Sequence, residues 1–338
     1  MKKLLLVAVS VLAVYANAAR EIVMQVPKIV DGCYMISNAA ELYKVAFSFM
    51  ETKTDCAKLT ADIVVNENVI KDGSLNVADT ANFAEWQRYA FFDFEGVFDG
   101  QGHTISGLYF NDSTTDLVGL FGKVGDFRLG GNIENIVIKD VHLVDTYFSA
   151  RDNVGGLVGE ADYGINLVIE RSSVDGIIEG EVGVGGLVGS LDDSRSVSIY
   201  DSYNAASIKA SYYVGGIVGG MVWDSYLRIA NAYNVGTVSG QGNVGGVIGY
   251  VDYGKLELMN VFNVGSVVGL EENSSDINSF GYIDVYSLDS YVLDNVFFLG
   301  SNKEGVGTSM TEEQFANGTV ASIMHGYNYD GVDGSIWG

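Results

Sequence analysis

The hexapeptide VGGLVG stands at Val154–Gly159 and again at Val184–Gly189, and it returns as VGGIVG at Val214–Gly219 and VGGVIG at Val244–Gly249. The copies start 30 residues apart each time. Each spends three glycines in six residues, although glycine gives up entropy and packing area in any regular element. Repetition in register explains the expense. When like units stack, every repeat position lies over its equivalent, and a glycine column makes a tight corner where the chain bends or another wall approaches. The valine, leucine and isoleucine between the glycines fill the interior.

Behind each hexapeptide comes an acidic or tyrosine-containing turn, such as EADYG or SLDDS, and then a β-branched run, such as LVIERSSV or LRIANAYN. Ile169, Ile199 and Ile229 keep the register, as do Tyr203 and Tyr233, while Phe262 arrives one residue early. Asn204, Asn234 and Asn263 follow directly behind these aromatics. No helical period interrupts the units, so each reads as two or three short strands between Gly, Asp, Asn and Ser turns. Such a unit cannot bury its apolar face alone; stacked, it pairs with its neighbours at about 4.8 Å per step. The predicted fold is all-β, a parallel β-helix or β-solenoid with short helical caps. A propeller blade needs four strands and about 40–45 residues, more than this period supplies.

The glycine units resemble the GLUG motif, a repeat built on Gly-Leu-hydrophobic-Gly. Gly156–Gly159 and Gly186–Gly189 match it directly, Gly119–Gly122 looks like an earlier copy, and Gly216–Gly219 and Gly246–Gly249 are conservative variants. Phe280–Ile283 resembles a decayed copy, and Gly96–Phe110 resembles the segment that leads into such arrays. The resemblance implies export and surface display. Some relatives carry a zinc metallopeptidase domain, as in immunoglobulin A-specific proteases, and others are adhesin-like. The peptidase activity does not carry over, because the three histidines, His103, His142 and His325, include no HExxH pair. His103, in GQGHTI, reads as a turn or core residue.

The first 18 residues have the form of a secretory leader: Lys2 and Lys3, an apolar run from Leu4 to Val14, and the small-x-small site Ala16-Asn17-Ala18. The expected organisation is a leader at 1–18, an N-terminal capping region at 19–95, the repeat array at 96–300 and a C-terminal helical cap and tail at 301–338. No later segment is apolar enough to span a bilayer. The two cysteines, Cys33 and Cys56, read as one disulfide in an exported protein. Asn38 with Glu41 predicts a helix over 39–50, and Thr311 with Gln314 predicts a second one that closes or flanks the far end.

Nineteen basic residues face 43 acidic ones, a net charge of −24. That balance excludes a nucleic-acid partner and disfavours acidic polymers unless cations bridge the two. No P-loop follows the glycines, and no Gly-x-Ser-x-Gly elbow is present. Asp162, Asp192 and Asp252 share a 30-residue column near Asp193. Ordinary turn chemistry accounts for them; calcium ligation and paired-carboxylate catalysis are the alternatives. Tyr212, Tyr213, Trp223, Tyr226, Tyr250 and Tyr253 gather in neighbouring repeats as candidate ligand-stacking residues. The functional expectation is a non-enzymatic, exported or surface-displayed binder of a polysaccharide or surface protein. A β-helix hydrolase or lyase using the aspartates is the rival, and a structural spacer the third reading.

Overall fold

Each 30-residue unit wraps short strands around one continuous apolar core. In the unit that opens at Asp152, strands Asp152–Gly155 and Val158–Ala161 are followed by Ile165–Glu170 and Ser173–Glu179. Each pairs in parallel with its equivalent one unit on: Val154 with Val184, Val158 with Val188, Leu167 with Val197 and Val174 with Asn204. The first half of every hexapeptide therefore lies in one five-stranded sheet and the second half in a six-stranded sheet, while the β-branched runs lie in a large 20-stranded sheet. These mostly parallel sheets form a β-helix-like stack. The computed structural model describes residues 20–47, 56–91, 94, 96–125, 134–270, 275–279, 281–283, 286–300, 306–329 and 331–337. The leader and Phe280 of the decayed motif lie outside the described residues. Tyr282 and Ile283 of that motif do pair with Tyr250 and Val251.

Alternation decides which residues face inward. Val154, Val184, Val214 and Val244 form one buried column, and Ile169, Ile199, Ile229 and Leu258 another. The glycines make the corner between the two smaller sheets. A Cβ at Gly156 would lie 2.5 Å from the carbonyl oxygen of Gly186 in the next unit. One at Gly159 would run into the Gly122 carbonyl, and one at Gly189 into that of Gly159. Close approach, rather than a left-handed backbone, thus requires glycine at these positions.

A second column lies opposite that corner. Asn204 Nδ2 donates to Asn234 Oδ1 at 2.8 Å, and Asn234 Nδ2 donates to Asn263 Oδ1 at 2.8 Å. Each asparagine also closes a local turn: the Oδ1 of Asn234 accepts from Gly236 N, and its Nδ2 donates to Gly236 O. The three side chains are fully buried, so this ladder satisfies polar groups that a β-turn would otherwise strand in the core. The early arrival of Phe262 has a local cause. Val251 sits opposite Met221, 30 residues away, but Lys255 sits opposite Tyr226, 29 residues away. The missing residue falls in the turn between them.

A helix forms near the start of the described chain. Helix α1 spans Ala39–Phe47. Asn38 Oδ1 accepts from Glu41 N at 3.0 Å, and Glu41 returns a carboxylate to Ser37 N at 2.7 Å. Leu42 and Ala46 are buried, and Tyr43 packs edge-on against Trp86. The Cys33–Cys56 disulfide ties two adjacent parallel strands below the helix. Because it closes 23 residues of chain, reducing it should lower stability by about 3 kcal/mol. Thermal melts with and without reductant check this; an unchanged Tm would contradict it.

The C-terminal helical stretch is broken in two. The Thr311–Gln314 capping box forms, but Gly318, at φ 81°, divides the helical stretch into α2 (Glu312–Ala316) and α3 (Thr319–His325). Both pack against the outer surface of the large sheet. Met324 meets Phe297, and Val332 meets Ala230 and Met259. Asn231 Nδ2 donates to the Asp333 carbonyl at 2.8 Å, which pins the tail to the stack. Phe315 and Trp337 cover the parallel rings of Tyr233 and Phe262.

Candidate functional site

The corner between the six-stranded sheet and the large sheet holds residues whose side chains the core does not need. In the shared register it presents Tyr163, Asp193, Trp223 and Tyr253, one per unit. Trp223 is 64% exposed and Tyr253 55%. Asp193, Trp223 and Tyr253 all take left-handed backbone, at φ 47°, 55° and 59°. Glycine, asparagine and aspartate enter that region at little cost, but a bulky aromatic residue does not. Trp223 and Tyr253 therefore hold an unfavourable conformation that turns large rings toward solvent.

Buried serines fix this turn from below. Ser194 Oγ donates to the Ala161 carbonyl at 2.6 Å, and Ser194 N donates to Ser225 Oγ at 3.0 Å. Ser225 Oγ in turn donates to the Val222 carbonyl at 3.0 Å. Both serines are almost wholly buried. Sequence reasoning passed over them because serine is ordinary in turns and the two stand 31 residues apart, one out of the 30-residue register.

Beside the aromatic row runs a groove of about 380 Å³, lined by Tyr163, Asp193, Arg195, Asp224, Tyr226 and Lys255 among others. The six-stranded sheet next to the corner carries an acidic group organised by one cation. Lys123 reaches Glu160 at 2.9 Å and also pairs with Asp162. Burial pulls the Lys123 pKa down, but hydrogen bonds to Asp162 and Glu160 outweigh it and hold the ammonium above its ordinary value. Asp192 is pushed up by burial first and then by Glu160 and Asp162. Asp193 is raised by burial and by Asp224.

The sign of these shifts fixes a pH effect. A carboxylate whose folded pKa is raised opposes folding once ionised, so it weakens the fold as pH rises from its unfolded pKa, about 3.9, through the higher folded value. Asp192→Asn should accordingly raise Tm at pH 7 and leave it unchanged near pH 3. An equal shift at both pH values would contradict the assignment.

The six aromatic candidates separate into distinct places. Trp223 and Tyr253 stand on the corner and Tyr226 lines the groove. Tyr213 and Tyr250 instead stack on one another at 4.5 Å, with Tyr282 continuing the column at 5.9 Å. Burial and the nearby Asp252 push the Tyr250 hydroxyl up to about 12. Tyr212 is exposed on the neighbouring sheet. The aspartates separate likewise: Asp162 is ion-paired to Lys123, while Asp252 lies beside the tyrosine stack. Among the described residues, no three His, Cys, Asp or Glu side chains converge in a way that could hold a metal ion. His103 sits in a turn, its Nδ1 3.2 Å from Asp62.

No family model matches the chain. No curated protein matches it either. Among solved structures, it is similar to a Bacteroides ovatus protein provisionally described as an immunoglobulin A1 protease, with 20% identity over 88% of this chain and 89% of that one, at a TM-score of 0.59. A second structure, described as IgA1 protease, aligns at 17% identity over 84% of this chain and 24% of that one, at a TM-score of 0.44. The first likeness places this chain among proteins of the same overall fold.

Proposed function

We propose that the protein is an exported, non-enzymatic β-solenoid that binds polysaccharide along its aromatic corner. The observation that carries this reading is the pair Trp223 and Tyr253, held exposed in left-handed backbone that asparagine or glycine would adopt at less cost. Backbone strain retained at a surface position points to use of the side chain. Trp223 and Tyr253, in adjacent units about 4.8 Å apart along the stack, offer neighbouring stacking faces to a chain of sugars at little entropic cost. The disulfide and the absence, among the described residues, of any helix long and apolar enough to cross a membrane accord with an extracellular setting.

The hydrolase reading retains one supporting feature: Asp192 is pushed up beside Asp162, which is paired with a lysine, a division of roles seen in carboxylate pairs that cleave glycosides. One experiment separates the two. The protein is incubated with insoluble neutral and acidic glycans, and both its depletion from solution and the release of reducing ends are followed. Depletion without release is expected. Release that Asp192→Asn abolishes would replace the binding role with a catalytic one.

A further inference from the structure

We infer that the groove beside the corner takes a sugar bearing a single carboxylate, an isolated uronic-acid unit on an otherwise neutral glycan. This inference rests on the glycan-binding reading above. Its basis is the placement of two cations. Arg195 and Lys255 come from units on either side of Tyr226, so about 10 Å of stack separates them. Both are exposed, and neither forms an ion pair with any described residue. Three cations elsewhere are tied to acids: Arg151 to Asp116, Arg171 to Asp140 and Lys139 to Asp99. In a chain of net charge −24, acidic partners are abundant, yet these two cations line one groove with no ion pair to an acid.

Two carboxylates in the lining limit the kind of anion. Asp193 and Asp224 line the same groove. They accept hydrogen bonds from sugar hydroxyls and repel a second negative charge, so a polyuronate or a divalent phosphate is disfavoured. A single carboxylate matches the planar donor fork of Arg195, with the Lys255 ammonium as a further donor. Trp223 supplies the adjoining stacking face. The ligand is thus a sparsely charged glycan, with hydroxyls toward the aspartates and one carboxylate toward the cations.

The test uses three probes: a xylo-oligosaccharide carrying one glucuronate, the same molecule with its carboxyl reduced to the alcohol, and polygalacturonate. Affinities are measured for the wild type, for Arg195→Gln/Lys255→Gln and for Trp223→Asn, with melting curves as folding controls. The single-acid probe should bind about tenfold more tightly than its reduced form, the worth of one charge-assisted hydrogen bond. The double variant should erase that difference, and polygalacturonate should bind no better than the reduced probe. Equal binding of the acid and reduced probes, lost in Trp223→Asn, would overturn the carboxylate inference and leave the corner reading standing. Tight binding of polygalacturonate would overturn the argument from the aspartates. If none of the probes and none of the neutral glycans bound, the corner reading would fall and the inference with it.

Discussion

Gly216→Ala should destabilise the protein by about 3 kcal/mol, and the cost exceeds this if the backbone cannot yield. The added methyl would run into the Gly246 carbonyl of the next unit and reach the buried amide of Asn234. Neither neighbour is the free end of a flexible side chain, and both belong to ladders that continue through the stack. The strain therefore spreads along the repeat instead of being absorbed by one rotamer change. Gly326→Ala is the control. Its Cβ would meet only carbonyl oxygens at 3.6 and 3.7 Å, so stability should change by no more than about 0.5 kcal/mol. Denaturant titration of both variants measures the difference. Equal midpoints would show that the repeat glycines are not required by close packing.

Asn234→Ala is the second large effect, about 4 kcal/mol. The substitution removes four hydrogen-bonded contacts: two with Gly236, one with Asn204 and one with Asn263. Each leaves a buried partner without its mate, at roughly 1 kcal/mol or more apiece. Interaction along the ladder makes the loss cooperative, so Asn204→Ala combined with Asn234→Ala should cost less than the sum of the single changes. Strict additivity in that cycle would mean that the amides act independently and that the column is incidental.

These two effects show what the sequence made legible. The 30-residue spacing and the alternation of apolar residues were enough to predict parallel pairing, inward columns and the glycine corner, because each follows from local periodicity. The disulfide and the start of α1 followed from compartment and capping chemistry. The column Asn204, Asn234 and Asn263 was visible as a register, but its burial against Gly186, Gly216 and Gly246 depends on how the corner closes across the core. The C-terminal segment was harder still. Asn231 meets Asp333 across 102 residues, and no repeat signal links the two.

The candidate site was legible in part for a related reason. Trp223, Tyr226 and Tyr253 were recognisable as aromatic residues near turns. Position within a repeat could not separate them from the packed stack of Tyr213 and Tyr250, because both sets recur in the same units. Packing makes the distinction: Trp223 and Tyr253 stand more than half exposed at the corner, whereas Tyr213, also left-handed at φ 56°, and Tyr250 cover one another.

The central claim is tested most directly by calorimetric titration of the wild type and Trp223→Asn with the same soluble glycan, beside their melting curves. Asparagine relieves the left-handed strain, so the variant should be about 1 kcal/mol more stable. Its affinity should fall at least tenfold, the loss of about 1.4 kcal/mol of stacking. Higher stability with weaker binding is the result this account predicts. Unchanged affinity would show that the exposed ring is not a binding element and would contradict the proposed role of the corner.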